Sequence, residues 1–211
     1  MAARTTAAGA RPLRLLAFAA AALWLAACRT VPQPPAPAPE QVLAAWPARC
    51  AQLQARTQYT AQGRIGVVAG SEGFNGRLRW IQEGARSTVS LDGPLGVGGV
   101  RIVNEGGALT LTTSSGESLD SEAAHDELVR RMGFEPPLNS LRYWIQGVPD
   151  PSGPSAESPD AQGYLGSLVQ SDWTVTFSAY MHTADGALPQ KLTVARGNVR
   201  VKLILEDWRT P

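Results

Sequence analysis

From residue 59 onward, apolar and polar residues alternate over short runs that are separated by glycine-rich turns. In residues 74–80, for example, Phe74, Leu78 and Trp80 fall on one side of the alternation and polar side chains on the other. A period of two places successive side chains on opposite faces of a strand, so one face is apolar and the other meets water. Short strands joined by tight turns usually pair with their sequence neighbours. The pattern therefore predicts an antiparallel sheet.

The whole chain has 211 residues, which suits one domain with its own core. We predict about ten strands, two or three helices and a long loop over 148–163. The predicted strands are 63–68, 74–80, 87–91, 97–103, 109–113, 164–169, 173–180, 191–195 and 199–205. The fold class is mostly β (α+β): a curved antiparallel sheet or incomplete antiparallel β-barrel covered by helices.

Capping residues and apolar spacing predict three helices. Val42, Leu43, Trp46, Cys50 and Leu53 recur at helical spacings of three and four. Because proline breaks a continuous helix, we predict that this helix begins at Pro47 and buries Cys50 as a structural thiol. The second helix is predicted over 122–132, ended by Gly133, and the third over 137–146.

The N-terminal segment resembles an export signal. Arg4, Arg11 and Arg14 precede a 13-residue apolar run over 15–27, which is too short to span a bilayer. The run ends in Leu-Ala-Ala-Cys, the pattern of the bacterial lipobox, at Cys28. This pattern predicts a lipoprotein signal peptide over 1–27 and acylation of Cys28. The alternative is an ordinary signal peptide in which Cys28 is incidental.

A proline-rich segment follows the cysteine. Residues 29–40 contain five prolines, which favour an extended spacer. We therefore predict a lipidated cysteine and tether over 28–40 and a folded domain over 41–211. Similarity to bacterial lipoproteins implies that Arg29, in place of an aspartate, directs the chain to the outer membrane. The formal net charge of +1 gives no footprint for nucleic acid.

The residue types that carry catalysis are sparse. His125 and His182 are the two histidines, and neither has metal-ligand spacing around it. Ser114, His125 and Asp126 offer the residue types of a catalytic triad, but no nucleophile elbow accompanies them. The glycines of 93–99 are followed by no phosphate-loop lysine. The sequence therefore predicts no enzyme, no metal site and no cofactor.

A leucine stands where a turn normally has polar residues. Pro94, Leu95 and Gly96 lie between two predicted strands. Leu95 either folds back onto the core or protrudes as an apolar tip that enters a membrane or a partner. The residues alone leave both alternatives open.

Several segments together resemble the LolB family, the outer-membrane receptors of the lipoprotein-localisation pathway. These segments follow in order through nearly the whole chain after the leader. They are residues 25–28, 76–80, 93–96, 137–147, 170–173, 188–189 and 201–208.

The resemblance implies a function and a set of partners. It implies an apolar cavity under a helical lid and a protein that accepts acylated lipoproteins from the periplasmic carrier LolA. This protein then inserts the lipoproteins into the inner leaflet of the outer membrane. It is itself anchored in that membrane as a monomer that faces the periplasm. The implied partners are the LolA–lipoprotein complex, lipoprotein acyl chains and outer-membrane lipid, without nucleic acid. The alternative is an envelope lipid- or glycolipid-binding lipoprotein with a related cavity.

The resemblance also implies roles for individual residues. Leu95, with Pro94 and Gly96, corresponds to the family's membrane-inserting loop. Apolar residues of the strands and the lid are candidates for the acyl-chain cavity. These candidates are Phe74, Leu78, Trp80, Val89, Leu91, Leu109, Leu111, Leu141, Trp144, Ile145, Trp173 and Phe177.

Overall fold

The computed structural model describes residues 39–93 and 98–211, which belong to one compact unit. The predicted leader 1–27, Cys28 and the loop residues Pro94, Leu95 and Gly96 lie outside the described residues. None of the helices within these two ranges has the length and hydropathy that a membrane span requires.

The described residues form three helices and eleven strands. The helices are α1 (Pro39–Gln54), α2 (Ser121–Met132) and α3 (Leu138–Trp144). The strands of the first half are β1 (Gln58–Ala69), β2 (Glu72–Glu83), β3 (Arg86–Asp92), β4 (Val100–Glu105), β5 (Ala108–Thr113) and β6 (Ser118–Asp120). Those of the second half are β7 (Ala156–Pro159), β8 (Leu165–Gln170), β9 (Trp173–Thr183), β10 (Gly186–Arg196) and β11 (Val199–Arg209).

All eleven strands belong to one antiparallel sheet, as the alternation predicted. The strand order is β6-β5-β4-β3-β2-β1-β11-β10-β9-β8-β7, so the β1–β11 pair joins the two halves. The outermost strands, β6 and β7, have three and four residues. In the strand order they stand at opposite ends of the sheet, which is therefore an incomplete barrel. Such short edge strands offer little unpaired backbone to other chains.

The alternation sorts side chains onto two faces. In β1 the odd-numbered Tyr59, Ala61, Ile65 and Val67 are buried, whereas Arg64 is exposed. We call the buried side the inner face and the opposite side the outer face. Every strand from β1 to β5 and from β8 to β11 contributes buried apolar residues to one core.

Two glycines allow close strand contacts. A side chain at Gly63 would collide with the carbonyl oxygen of Ile204 on β11, next to a register shift between Gln62 and Gly63. A side chain at Gly76 would collide with the carbonyl oxygen of Asp92 on β3. Glycine at these positions therefore lets the sheet bend without separating its strands.

The helices follow the predictions with one clear correction. The prediction that the first helix begins at Pro47 is wrong, because α1 runs through Pro47. Trp46 and Leu53 are buried on either side of it, and the Trp46 indole donates a hydrogen bond to Glu157 (2.6 Å). This packing holds both halves of the helix against the sheet despite the missing backbone donor. Leu43, on the predicted apolar stripe, is 49% exposed.

The other two helices lie close to their predicted bounds. Gly133 ends α2 in the left-handed conformation (φ 76°), and its N–H bonds to the carbonyl of Val129, as expected of a C-terminal glycine. Helix α3 is shorter than predicted and is followed by turns. The predicted loop over 148–163 contains β7, which pairs with β8.

A buried polar contact fixes α3 and the following loop to β8. Gln170 is 3% exposed, and its amide oxygen accepts hydrogen bonds from the Trp144 indole (2.8 Å) and from the Asp150 backbone (2.9 Å). Its amide nitrogen donates to the carbonyls of Asp150 (2.7 Å) and Gly153 (3.1 Å). We call this arrangement the Gln170 clamp.

Removal of the clamp should destabilise the fold. Gln170→Ala leaves buried donors and acceptors without partners, so we expect the free energy of unfolding to fall by about 3 kcal/mol. The control Gln162→Ala alters an exposed glutamine and should change the free energy of unfolding by less than about 0.5 kcal/mol. Urea unfolding followed by circular dichroism measures both. Equal losses in the two variants would contradict this assignment of the Gln170 side chain.

Candidate functional site

An apolar cavity lies between the inner face of the sheet and a cover formed by α2, residues 133–137 and α3. All of its lining residues are apolar side chains or prolines. On the sheet they are Ile65, Leu78, Trp80, Val89, Leu91, Ile102, Trp173, Val194, Val201 and Leu203. On the cover they are Leu128, Met132, Phe134, Pro136, Pro137, Leu138 and Leu141.

The cavity is small because the cover fills it. Its volume is about 40 Å³, which is room for little more than a water molecule. Pockets that bury a drug-sized ligand measure roughly 300–1,000 Å³. A long acyl chain can therefore enter only if part of the cover moves off the sheet.

Six of the twelve predicted cavity residues line this cavity, and six lie elsewhere. Those that line it are Leu78, Trp80, Val89, Leu91, Leu141 and Trp173. Phe74 is only partly buried. Leu109 and Leu111 are buried on β5, Trp144 lies in the Gln170 clamp, Ile145 is buried just after α3, and Phe177 packs against Tyr180.

Sequence reasoning predicted Leu141 of α3 as a cavity residue but missed the contributions of α2 and residues 133–137. Ala124, Leu128 and Met132 recur every fourth residue and form the buried stripe of α2. This spacing could have predicted that one face of α2 packs against the core. Phe134 follows directly after Gly133 and packs against Trp173, with ring centroids 5.8 Å apart. No periodicity marks that contact, because residues 133–137 are neither helix nor strand.

The two helices of the cover are attached differently. Helix α3 is bound by hydrogen bonds: Tyr59 donates to the carbonyl of Arg142 (2.6 Å), and Asn104 donates to Asn139 (2.7 Å). Burial raises the pKa of Tyr59, so its hydroxyl remains a donor at neutral pH. Among the described hydrogen bonds, none joins a side chain of α2 to the sheet. In the described residues, α2 is therefore held on the sheet by apolar packing and by its direct chain connection to β6.

A second cavity marks the seam between α2 and α3. It has a volume of about 240 Å³ and is lined by polar groups such as Asn104, His125 and Glu135. Leu128, Pro136, Pro137 and Leu138 line both this cavity and the apolar one. The two spaces therefore lie next to each other at this seam, with these four residues between them.

Burial keeps the thiol of Cys50 in its protonated form. Burial raises the pKa of Cys50 to about 11, and Glu157 adds to the rise. The thiol is half-buried rather than fully buried, and it is mostly protonated at neutral pH. His125 lies 3.7 Å from Glu135, and His182 is exposed. Within residues 39–93 and 98–211, no group of three His, Cys, Asp or Glu could hold a metal ion.

Comparison with known proteins identifies the family. The family model described as "Outer membrane lipoprotein LolB" matches residues 57–208. The chain belongs to the LolB family.

Relatives match the chain over most of its length. The outer-membrane lipoprotein LolB of Alkalilimnicola ehrlichii is 31% identical over 92% of this chain and 96% of its own. That of Thiobacillus denitrificans is 33% identical over 94% of this chain and 99% of its own. A LolA superfamily protein of Nitrosomonas europaea is 11% identical, with a TM-score of 0.48 over 83% of this chain and 94% of its own.

The LolB match covers the parts that build the cavity. It begins one residue before β1 and ends one residue before the end of β11, so the sheet and both cover helices are inside it. Helix α1 precedes the matched residues. The LolB-type unit of this chain is therefore the sheet with its cover.

Substitutions at Leu128 should change the cavity in opposite directions. Leu128→Ala removes a buried side chain of α2, so a dansyl-labelled fatty acid should bind more tightly while the free energy of unfolding falls by about 2–5 kcal/mol. Leu128→Trp fills the cavity and should weaken binding of the same probe. Fluorescence titration measures the binding, and Leu43→Ala on the half-exposed side of α1 is the control. If both Leu128 variants bound the probe equally, the probe would lie outside this cavity.

Proposed function

We propose that this protein is an outer-membrane lipoprotein that accepts acylated lipoproteins from LolA and inserts them into the inner leaflet of the outer membrane. Membership of the LolB family supports this proposal. The observation that carries it is an interior lined only by apolar side chains, under a helix whose described side chains contact the sheet through apolar packing.

The acyl chain would replace the cover on the inner face. A chain of about sixteen carbons exposed to water costs on the order of 12 kcal/mol, at about 0.8 kcal/mol for each CH₂. Lifting α2 uncovers Leu128 and Met132, but an acyl chain in the same place covers the inner face again. The net binding free energy is then the difference between covering the inner face with the acyl chain and covering it with α2. Because this difference is small, the acyl chain can be released at the membrane.

The seam between α2 and α3 is the proposed entrance. The polar cavity opens beside the apolar one there, and four residues line both of them, which supports this choice. Helix α3 is held by hydrogen bonds and would stay in place while α2 moves. Both acceptance and release are non-covalent, so the proposal needs no catalytic group.

The sequence supplies the proposed anchor and location. Residues 1–27 would be removed as a signal peptide, Cys28 would be acylated, and residues 28–40 would tether the domain at 41–211. The protein would face the periplasm as a monomer. A single acyl chain binds membranes only marginally, whereas several chains on one cysteine hold firmly.

A transfer assay tests the proposal. A complex of LolA with a labelled, acylated lipoprotein is mixed with the chain from residue 28 carrying Cys28→Ala, and gel filtration shows which protein holds the label. We expect the label to move to this chain without nucleotide. If the chain bound free phospholipid but took no lipoprotein, the lipid-binding alternative would replace this proposal.

Leu95→Glu should separate acceptance from insertion. Burial of one leucine in lipid contributes about 1.5–3 kcal/mol, so loss of that contact should slow delivery into vesicles roughly 10- to 100-fold. Acceptance from LolA should stay within about two-fold, because the cavity is unchanged. The control Leu43→Glu alters a half-exposed leucine of α1 and should affect neither step. Loss of acceptance together with loss of folding would place Leu95 in the core instead.

Cys28→Ser should abolish lipid attachment. Cells that express the full chain are labelled with radioactive palmitate, and the protein is then isolated. The wild-type chain and the control Cys50→Ser should carry the label, whereas Cys28→Ser should carry none. Label that survives in Cys28→Ser would refute the assigned lipobox.

A further inference from the structure

The outer face of the sheet concentrates positive charge. Among the exposed basic side chains of its central strands, six lie towards the end of the sheet at which β3 ends, and we call these six the basic band. They are Arg64 on β1, Arg77 and Arg79 on β2, Arg101 on β4, and Arg200 and Lys202 on β11. They point outward because their sequence neighbours face the apolar interior.

Strand register makes these six residues neighbours. Arg64 stands directly opposite Arg77 on the adjacent strand, an arrangement in which like charges repel. Arg79 and Arg101 are both partners of Ser90, one on each side of β3. Lys202 is the partner of Gly66, two residues along β1 from Arg64. The band therefore crosses β11, β1 and β2 and continues to β4 across Ser90 of β3. The exposed Val68, the register partner of Arg200, lies beside it.

The positive charge of the band is only partly neutralised. Glu206 binds Arg64 (2.7 Å), and Asp92 stands opposite Arg77 in the register. In the part of the chain that the structure describes, the other five members are in no ion pair. Residues 1–38 and 94–97 contain no Asp or Glu that could supply one. Next to the six basic side chains of the band there are thus two acidic ones, Glu206 and Asp92.

This charge does not follow from composition. Residues 39–211 contain 15 Lys and Arg against 18 Asp and Glu, a formal charge of −3. On the strands of the band and on β3, which lies between them, Asp92 and Glu206 adjoin the band, whereas Glu83 and Glu105 lie further along, beside Arg86, so positive charge is concentrated at one end of these strands. Such a concentration creates a local positive potential that attracts anions.

The band also contains space for an anionic group. A cavity of about 840 Å³ opens on the outer face between Arg64, Arg77 and Lys202. Glycines 66 and 76 lie at its base, so the basic side chains surround an open groove. The groove reaches Asp92 and Gly93, where β3 ends.

We propose that the basic band is a membrane-docking surface that binds the phosphate groups of anionic phospholipids. This inference rests on the proposed function, because it orients the sheet against the membrane that receives the lipoproteins. The groove reaches Gly93, which is two residues before Leu95 in the sequence, so the proposed insertion loop begins beside the band. When Leu95 enters the bilayer, the adjoining band meets the headgroup layer, which favours a membrane over a protein as its occupant.

Vesicle flotation tests the band without any lipoprotein or carrier. The chain from residue 28 with Cys28→Ala is mixed with vesicles of phosphatidylcholine, or of phosphatidylcholine with phosphatidylglycerol. The band variant is Arg77→Gln, Arg200→Gln and Lys202→Gln together. The control variant is Arg86→Gln, Arg130→Gln and Arg209→Gln, which removes the same charge from exposed arginines outside the band.

The band variant should lose affinity only for anionic vesicles. Each basic residue near such a surface raises the affinity for anionic vesicles about five-fold, so the triple band variant should bind them roughly 100-fold more weakly. The control variant should bind nearly as well as wild type. Raising salt from about 0.05 M to about 0.5 M should remove the difference. Leu95→Glu should instead weaken binding to both kinds of vesicle. Circular dichroism confirms that each variant is folded.

Three results would overturn the proposal. Equal losses in the band and control variants would assign the effect to net charge. Equal flotation with and without phosphatidylglycerol in the vesicles would exclude recognition of the anionic headgroup. Displacement by inorganic phosphate beyond that by chloride of equal ionic strength would indicate a site for free anions. Failed lipoprotein transfer with normal flotation would instead count against the proposed function alone.

Discussion

Two apolar surfaces hide one another from water in this fold: the inner face of the sheet and the buried stripe of α2. Ala124, Leu128 and Met132 seat the helix, and the cavity that remains measures only about 40 Å³. Neither surface is stable alone in water, since each buried leucine or methionine side chain represents roughly 1.5–3 kcal/mol. Whatever binds inside must therefore compete with α2 for the same surface, and this competition determines both affinity and release.

The competition can work only if the rest of the cover stays in place. Helix α3 is held by Tyr59, by Asn104 and by the Gln170 clamp, and all three contacts are polar and directional. Polar contacts of this kind break at a cost unless new partners replace them, whereas apolar contacts can be exchanged for an acyl chain. In the proposed function, this difference in chemistry makes α3 the fixed helix and α2 the movable one.

Local patterns in the sequence predicted the sheet, because a period of two appears in each strand separately. The same patterns predicted α2, where Gly133 supplies a left-handed C-terminus. These patterns failed where contacts between residues far apart in the sequence determine the structure. Pro47 stays inside α1 because Trp46 reaches Glu157, 111 residues away. Half of the predicted cavity residues line the cavity, and the missed cover residues, such as Phe134, are defined by a partner on another element.

The alternation that builds the cavity also builds the outer face. Leu78 lies between Arg77 and Arg79 along β2, so the strand that lines the apolar interior carries positive charge on its other side. A sheet that is one layer thick can thus hold an acyl chain on one face and meet headgroups on the other. If both proposals hold, the bound chain and the target bilayer would be separated by a single layer of backbone. Transfer would then take the acyl chain from one face of the sheet to the other without dissociation into water.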